Sequence, residues 1–282
     1  MRSTLATSSA SRVSSGAGHA ARRYALPGQR PVSPNITLSE TDGVRYLHFG
    51  SIWVQGAMRI ARPFSLEVEY QQQMMAPALL HPRPAHIVQL GLGAAALAKF
   101  CWRELPRACV SVVEISAEVV AAAHRWFKLP APDDRLSIIE ADAADVVRDP
   151  SRAAFAGRRA DWLQVDLYDA EAAGPVHDSP EFYAGCRRLL SPRGVAAINL
   201  FGRSFDESRR AIESAFGSHW LALPEADAGN RVVLAFARPI VVPASTLYTR
   251  AVSMEAQWRL PARRWAGALR EAGLTGKLMA SK

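Results

Sequence analysis

The chain has 282 residues, 49% of them apolar and 21% charged, enough to bury one large core with a small appendage. No apolar run reaches the roughly 18 residues of a membrane-spanning helix, so no membrane partner is expected. The net charge of +8 belongs to the ends: residues 1–31 and 250–282 carry +5 each, leaving −2 over 32–249. A nucleic-acid binder needs its basic stripe on the folded face, so no nucleic acid is expected either. Cys101, Cys109 and Cys186 are odd in number and lack CxxC spacing, and the histidines show no HExxH pair. These features predict reduced thiols, a cytoplasmic protein and no metal.

In chain order, residues 1–31 are rich in Ser, Ala, Gly and Arg without a hydrophobic period, which predicts a disordered basic tail. Residues 32–64 predict a small β hairpin or meander: Asn35–Ser39, a Thr41-Asp-Gly43 turn, Val44–Phe49, and a further short strand at Ile52-Trp-Val54. Ser65 to His81 predicts a helix ended by Pro82 and Pro84. From there strands and helices alternate over a domain spanning 65–249, the signature of βαβ units. The expected strands are Ile87–Leu90, Cys109–Val113, Leu136–Ile139, Asp161–Val165 and Val195–Leu200, then two more near Trp220 and Val232–Phe236. Ser116 and Ser179-Pro180 are expected helix starts, and Gly217 a helix stop. Residues 250–282 form a basic extension, helical from Trp258 to Leu274. The predicted fold class is α/β: a doubly wound Rossmann-like sheet, preceded by the small β unit.

In an open α/β sheet ligands bind beyond the carboxyl ends of the strands, where strand order reverses. Gly91-Leu-Gly93 follows the first strand of the alternating region, Glu114 ends the second, Asp142-Ala143 follows the third and Asp166 the fourth. Glycine lets the backbone approach a ligand, and an acid at the second strand end suits ribose hydroxyls. Ala94-Ala95-Ala96 replaces the third glycine of a dinucleotide fingerprint, which favours one nucleoside with a short charged tail. S-adenosylmethionine or a close relative fits that description, so the predicted sheet is of the S-adenosylmethionine-binding class I type.

With these residues in view, the sequence resembles the spermidine synthases, or polyamine aminopropyltransferases. The resemblance covers about Gly50 to Phe201 and rests on Asp166-Leu-Tyr-Asp169, Gly174-Pro175 and Glu181-Phe-Tyr183, with Tyr70-Gln71 and His81-Pro82 upstream. It implies transfer of an aminopropyl group from decarboxylated S-adenosylmethionine to a diamine, putrescine giving spermidine, with no tightly bound cofactor. Asp166 would be the proton acceptor, Asp169 and Tyr70 would bind the amine, and Gln71, Glu114, Asp142 and Ala143 would face the nucleoside. It also implies a homodimer paired through the N-terminal strands. The chemistry agrees: a diammonium has no lone pair at neutral pH, so one carboxylate must take a proton while another holds the far ammonium. Ala94 stands where the family has an aspartate, and Leu66-Glu67 where it has Asp-Glu. A methyltransferase of the same fold, or a non-catalytic adenosyl-ligand-binding paralogue, are the alternative readings.

Overall fold

The computed structural model describes residues 30–33, 35–152, 155, 157–202 and 205–273. The tail expected over 1–31 therefore lies outside the described residues up to position 29, and Arg30 and Pro31 open a strand. That strand, β1 (Arg30–Ser33), joins β2 (Ile36–Thr41), β3 (Val44–His48) and β4 (Gly56–Arg59) in an antiparallel sheet of order β1-β2-β3-β4. Asp42 and Gly43, at φ +50° and +73°, make the β2–β3 turn that the Thr-Asp-Gly signal predicts.

The strand expected at Ile52–Val54 is not formed; pairing with β3 resumes only at Gly56. The polar groups of this stretch are drawn elsewhere, with Ser51 Oγ donating to the Ala170 carbonyl at 2.6 Å and the Trp53 carbonyl 2.9 Å from His48 Nδ1. The helix expected over Ser65–His81 is broken into α1 (Glu69–Gln73) and α2 (Pro77–Leu80). Ser65 Oγ bonds back to the Arg62 carbonyl instead of capping a helix. Pro77 supplies no N–H, and the turn before it is tightened to Met75 N–Gln72 O and Ala76 N–Gln73 O bonds.

The alternating region forms β5 (His86–Leu90), α3 (Ala96–Glu104), β6 (Cys109–Glu114), α4 (Ala117–Phe127), β7 (Leu136–Glu140), α5 (Ala143–Arg148) and β8 (Ala160–Val165). It continues with α6 (Pro180–Leu189), β9 (Leu190–Leu200), α7 (Phe205–Phe216), β10 (Trp220–Ala222) and β11 (Arg231–Phe236). Ser116 and Ser179 cap α4 and α6 as expected, each Oγ accepting the N–H of the residue three further on. The seven strands order as β10-β11-β9-β8-β5-β6-β7. The five strands β5 to β9 are parallel, while β11 and β10 are added antiparallel, so the sheet is mixed. Strand order reverses between β5 and β8.

The C-terminal helix expected from Trp258 starts much earlier. It is a pair, α8 (Ala244–Trp258) and α9 (Ala262–Glu271), split by Arg259 at φ +58° and by Pro261. Leu247, Ala251 and Met254 give α8 its buried stripe, and Leu274 lies outside the described residues. The pair shares one apolar core with the first sheet, α2 and α3, while α5, α6 and α7 pack on the opposite sheet face. No helix among the described residues is long and apolar enough to cross a membrane.

Candidate active site

Leu90 of β5 lies opposite Val165 of β8, so the residues that follow, Gly91 and Asp166, meet at the reversal of strand order. The Asp166 N–H donates to the Leu90 carbonyl at 3.0 Å. Gly91 has φ +91°, and a Cβ there would lie 2.1 Å from the Asp166 carbonyl oxygen. Only glycine allows this approach. Gly93, at φ +50°, also passes close to backbone, with a Cβ there 2.9 Å from the Gln55 carbonyl oxygen.

Around this junction is a cavity of about 590 Å³, lined by every site residue read from the sequence: Tyr70, Gln71, Gly91, Gly93, Glu114, Asp142, Ala143, Asp166 and Asp169. Its wall contains four carboxylates and, among the described residues, no lysine or arginine. Such a wall favours cationic ligands. Among the described residues no group of three or more His, Cys, Asp or Glu is placed to hold a metal ion.

The Asp166 carboxylate accepts from Tyr70 Oη at 3.1 Å on one oxygen and from Asn199 Nδ2 at 2.9 Å on the other. Asn230 Nδ2 in turn donates to Asn199 Oδ1 at 2.9 Å, and Tyr168 Oη donates to the Asn199 carbonyl at 3.0 Å. Burial pushes the Asp166 carboxyl above the usual range, and the two donors pull it only part of the way back. Burial and the Asp166 charge hold the Tyr70 phenol well above its ordinary value, so it stays a donor.

Glu114 takes the Leu92 N–H on one oxygen and the Ser116 N–H on the other, both at 2.9 Å. Burial raises its pKa against the pull of these N–H groups. Ile115 beside it is 71% exposed at the cavity mouth, an apolar face of the kind a flat base can cover. Asp142 caps α5 through a 2.7 Å bond from the Ala144 N–H, with His177 Nε2 at 3.3 Å. Asp169 is exposed, and its Oδ1 receives the Ala172 N–H at 3.0 Å, while Gln55 Nε2 donates to its carbonyl at 2.7 Å. Glu67, at the place of the resemblance's Asp-Glu pair, is bound to Arg59 and does not line the cavity. Tyr183 is fully buried in α6 and donates to Asp178 at 2.7 Å.

Sequence reasoning missed Asn199, Asn230, Gln55, Gln89 and Tyr168, all in the cavity wall. Asn199 carried a usable signal: it is the one polar residue in Val195-Ala-Ala-Ile-Asn-Leu200, at the end of a strand whose neighbour ends in Asp166.

No family model matches the chain. A curated relative named polyamine aminopropyltransferase, from Chromobacterium violaceum, is 32% identical over 245 residues, covering 86% of this chain and 91% of the relative. Another of that name, from Neisseria meningitidis serogroup B, is 31% identical over 72% of this chain and 76% of its own. Among solved structures, a probable spermidine synthase from Corynebacterium glutamicum superposes with a TM-score of 0.64 at 18% identity, over 91% of this chain and 98% of that one. At that identity the likeness speaks for the fold.

Proposed function

The chain belongs to the polyamine aminopropyltransferase family and is a transferase, and from that premise we propose that it moves a 3-aminopropyl group from decarboxylated S-adenosylmethionine to a diamine, putrescine giving spermidine. The observation that carries the reading is the Asp166–Tyr70–Asn199 array, a desolvated carboxylate opening on an acidic cavity where strand order reverses. The donor's adenosyl group lies along the Gly91–Gly93 turn, with its ribose on Glu114 and its base between Ile115 and the Asp142-Ala143 turn. Gln71 faces the nucleoside from the opposite wall.

Asp166 takes one proton from the attacking ammonium, and Tyr70 keeps the nitrogen in line. The freed lone pair forms the new N–C bond at the carbon next to sulfur, and the C–S bond breaks. The sulfonium then leaves as a neutral thioether, methylthioadenosine. Asp169 holds the distal ammonium by a charge-assisted bond. The reading takes the enzyme to be a cytoplasmic homodimer acting on small molecules; light scattering of the purified chain checks the dimer.

A second reading, methyl transfer from ordinary S-adenosylmethionine, is favoured by Ala94, whose methyl, 2% exposed, puts no acid at the turn. Incubation with putrescine and either donor, followed by mass spectrometry, separates the readings. Spermidine and methylthioadenosine from the decarboxylated donor alone are expected. Methylated amine from the ordinary donor establishes the second reading, donor binding without turnover returns the chain to a non-catalytic adenosyl-ligand-binding role, and failure of both donors to bind overturns the cofactor assignment itself.

A further inference from the structure

Gln89 in β5 is 2% exposed and lines the cavity under the glycine turn. Its Nε2 donates to the Gly91 carbonyl at 2.6 Å, which fixes the side chain, while its Oε1 has no hydrogen-bond partner. Gln71 shows the same pattern: 4% exposed, with Nε2 on Tyr70 Oη at 3.3 Å and Oε1 unpartnered. Among the described residues, the other buried polar side-chain atoms without a partner belong to Gln73, His81, His86, His219 and Trp258, none of which lines the cavity. A buried amide oxygen without a donor is costly, so two of them lining one cavity imply a ligand rich in N–H groups.

We infer that Gln89 is a specificity-determining residue for the donor, its Oε1 accepting a hydrogen bond from the terminal ammonium of the aminopropyl arm. The inference rests on the aminopropyl-transfer reading. An ammonium brings three N–H donors and a positive charge into a wall that holds acceptors and carboxylates. A donor that keeps its α-carboxylate would set acceptor against acceptor at Gln89 and charge against charge at Asp166. Gln89 is tied to the Gly91 carbonyl, and Gly91 abuts the Asp166 backbone, so Gln89 shares the stretch of cavity wall that holds Asp166. Ala94 on the same turn offers only a methyl group.

The test compares Gln89→Met, which preserves side-chain length, and Gln89→Glu with the unaltered chain. The readouts are KM for decarboxylated S-adenosylmethionine, the Kd of methylthioadenosine, which lacks the ammonium, and Tm. Gln89→Met is expected to raise the donor KM at least about tenfold, the loss of one charge-assisted bond, and to leave methylthioadenosine affinity within about twofold. Gln89→Glu keeps an acceptor for the ammonium but sets a carboxylate oxygen against the Gly91 carbonyl. It is therefore expected to lower Tm while keeping the preference for the donor over methylthioadenosine that Gln89→Met loses. Parallel weakening of both ligands, or an unchanged donor KM, would show that Gln89 only shapes the turn and would overturn the inference. Absence of aminopropyl transfer by the unaltered chain would overturn the inference together with the reading it rests on.

Discussion

At Gly91 the backbone has φ +91° and no space for a methyl group, since a Cβ would lie 2.1 Å from the Asp166 carbonyl oxygen. Gly91→Ala must push the end of β8 away, moving the Asp166 carboxylate off Tyr70 and Asn199. The expected result is a loss of at least about 2 kcal/mol in urea unfolding, together with collapse of kcat. Full activity in a stable variant would show that the junction is not rigid. Asp166 itself predicts a pH signature. As a base it works only when ionised, so activity is lost as pH falls through its pKa, which burial has raised above the ordinary carboxylate range. Tyr70 and Asn199 hold that pKa down, so Tyr70→Phe and Asn199→Ala should each move the acid limb of kcat/KM to higher pH. Asp166→Asn should lower kcat by about 10²- to 10⁴-fold while methylthioadenosine still binds. An acid limb that ignores both substitutions would assign the titration to another group. Gly91, Glu114 and Asp166 were legible in the sequence because each closes an apolar run that reads as a buried strand, and Asp142 because it follows the end of the next strand by two residues. Gln89 was not, because a parallel strand is buried on both faces and no period marks which face a polar residue takes. Asn230 was hidden for a different reason: it reaches Asn199 only through the antiparallel addition of β11 beside β9, a pairing that no local pattern encodes.

Among the elements, the breaks were harder to read than the runs. The region from Ser65 to His81 looks like one helix by apolar spacing and is two in the structure, because a proline and local hydrogen bonds outweigh the period. The C-terminal helix expected from Trp258 corresponds to α9 and is preceded by α8, which was not expected. Lys99 in α3 is another case. By composition it belongs on a helix surface, yet it is fully buried, and its Nζ donates to the carbonyl of Phe127, the last residue of α4, at 2.5 Å. That carbonyl lies at the negative end of the α4 dipole, which suits an ammonium. Burial nevertheless lowers the Lys99 pKa from 10.5 to about 7. The unfolded chain therefore holds this proton more tightly than the folded one, and stability must rise with pH between about 7 and 10.5. The urea midpoint of the unaltered protein should increase across that window relative to Lys99→Met, which has no proton to lose. Parallel midpoint profiles would show that the lysine keeps an ordinary pKa.

Across the whole molecule, distant parts of the chain converge on α1, the five-residue helix that carries Tyr70 and Gln71. A helix this short cannot hold itself in water, so its position is set by its ties. Glu69 is the main one: its carboxylate accepts the Asp227 N–H at 2.7 Å from the β10–β11 hairpin and pairs with Arg264 of α9 at 3.3 Å. Gln73 Nε2 adds a 3.1 Å bond to the Pro224 carbonyl in the same hairpin. Nearby, Arg250 of α8 reaches the Leu79 and Leu80 carbonyls of α2 at 2.7 and 3.1 Å. The C-terminal helices and the terminal hairpin thus fix the wall that faces Asp166, although neither contributes a carboxylate to the cavity. Glu69→Ala separates this positioning role from plain stability. Partly exposed ion pairs contribute about 1 kcal/mol or less, so Tm should fall by only a few degrees. With Tyr70 no longer held in line, the amine KM should rise and the acid limb of kcat/KM should move upward, as expected for Tyr70→Phe, while methylthioadenosine affinity changes less. If Tm falls steeply while the amine KM and pH profile stay unchanged, Glu69 only supports the fold, and the C-terminal helices have no part in aligning the amine.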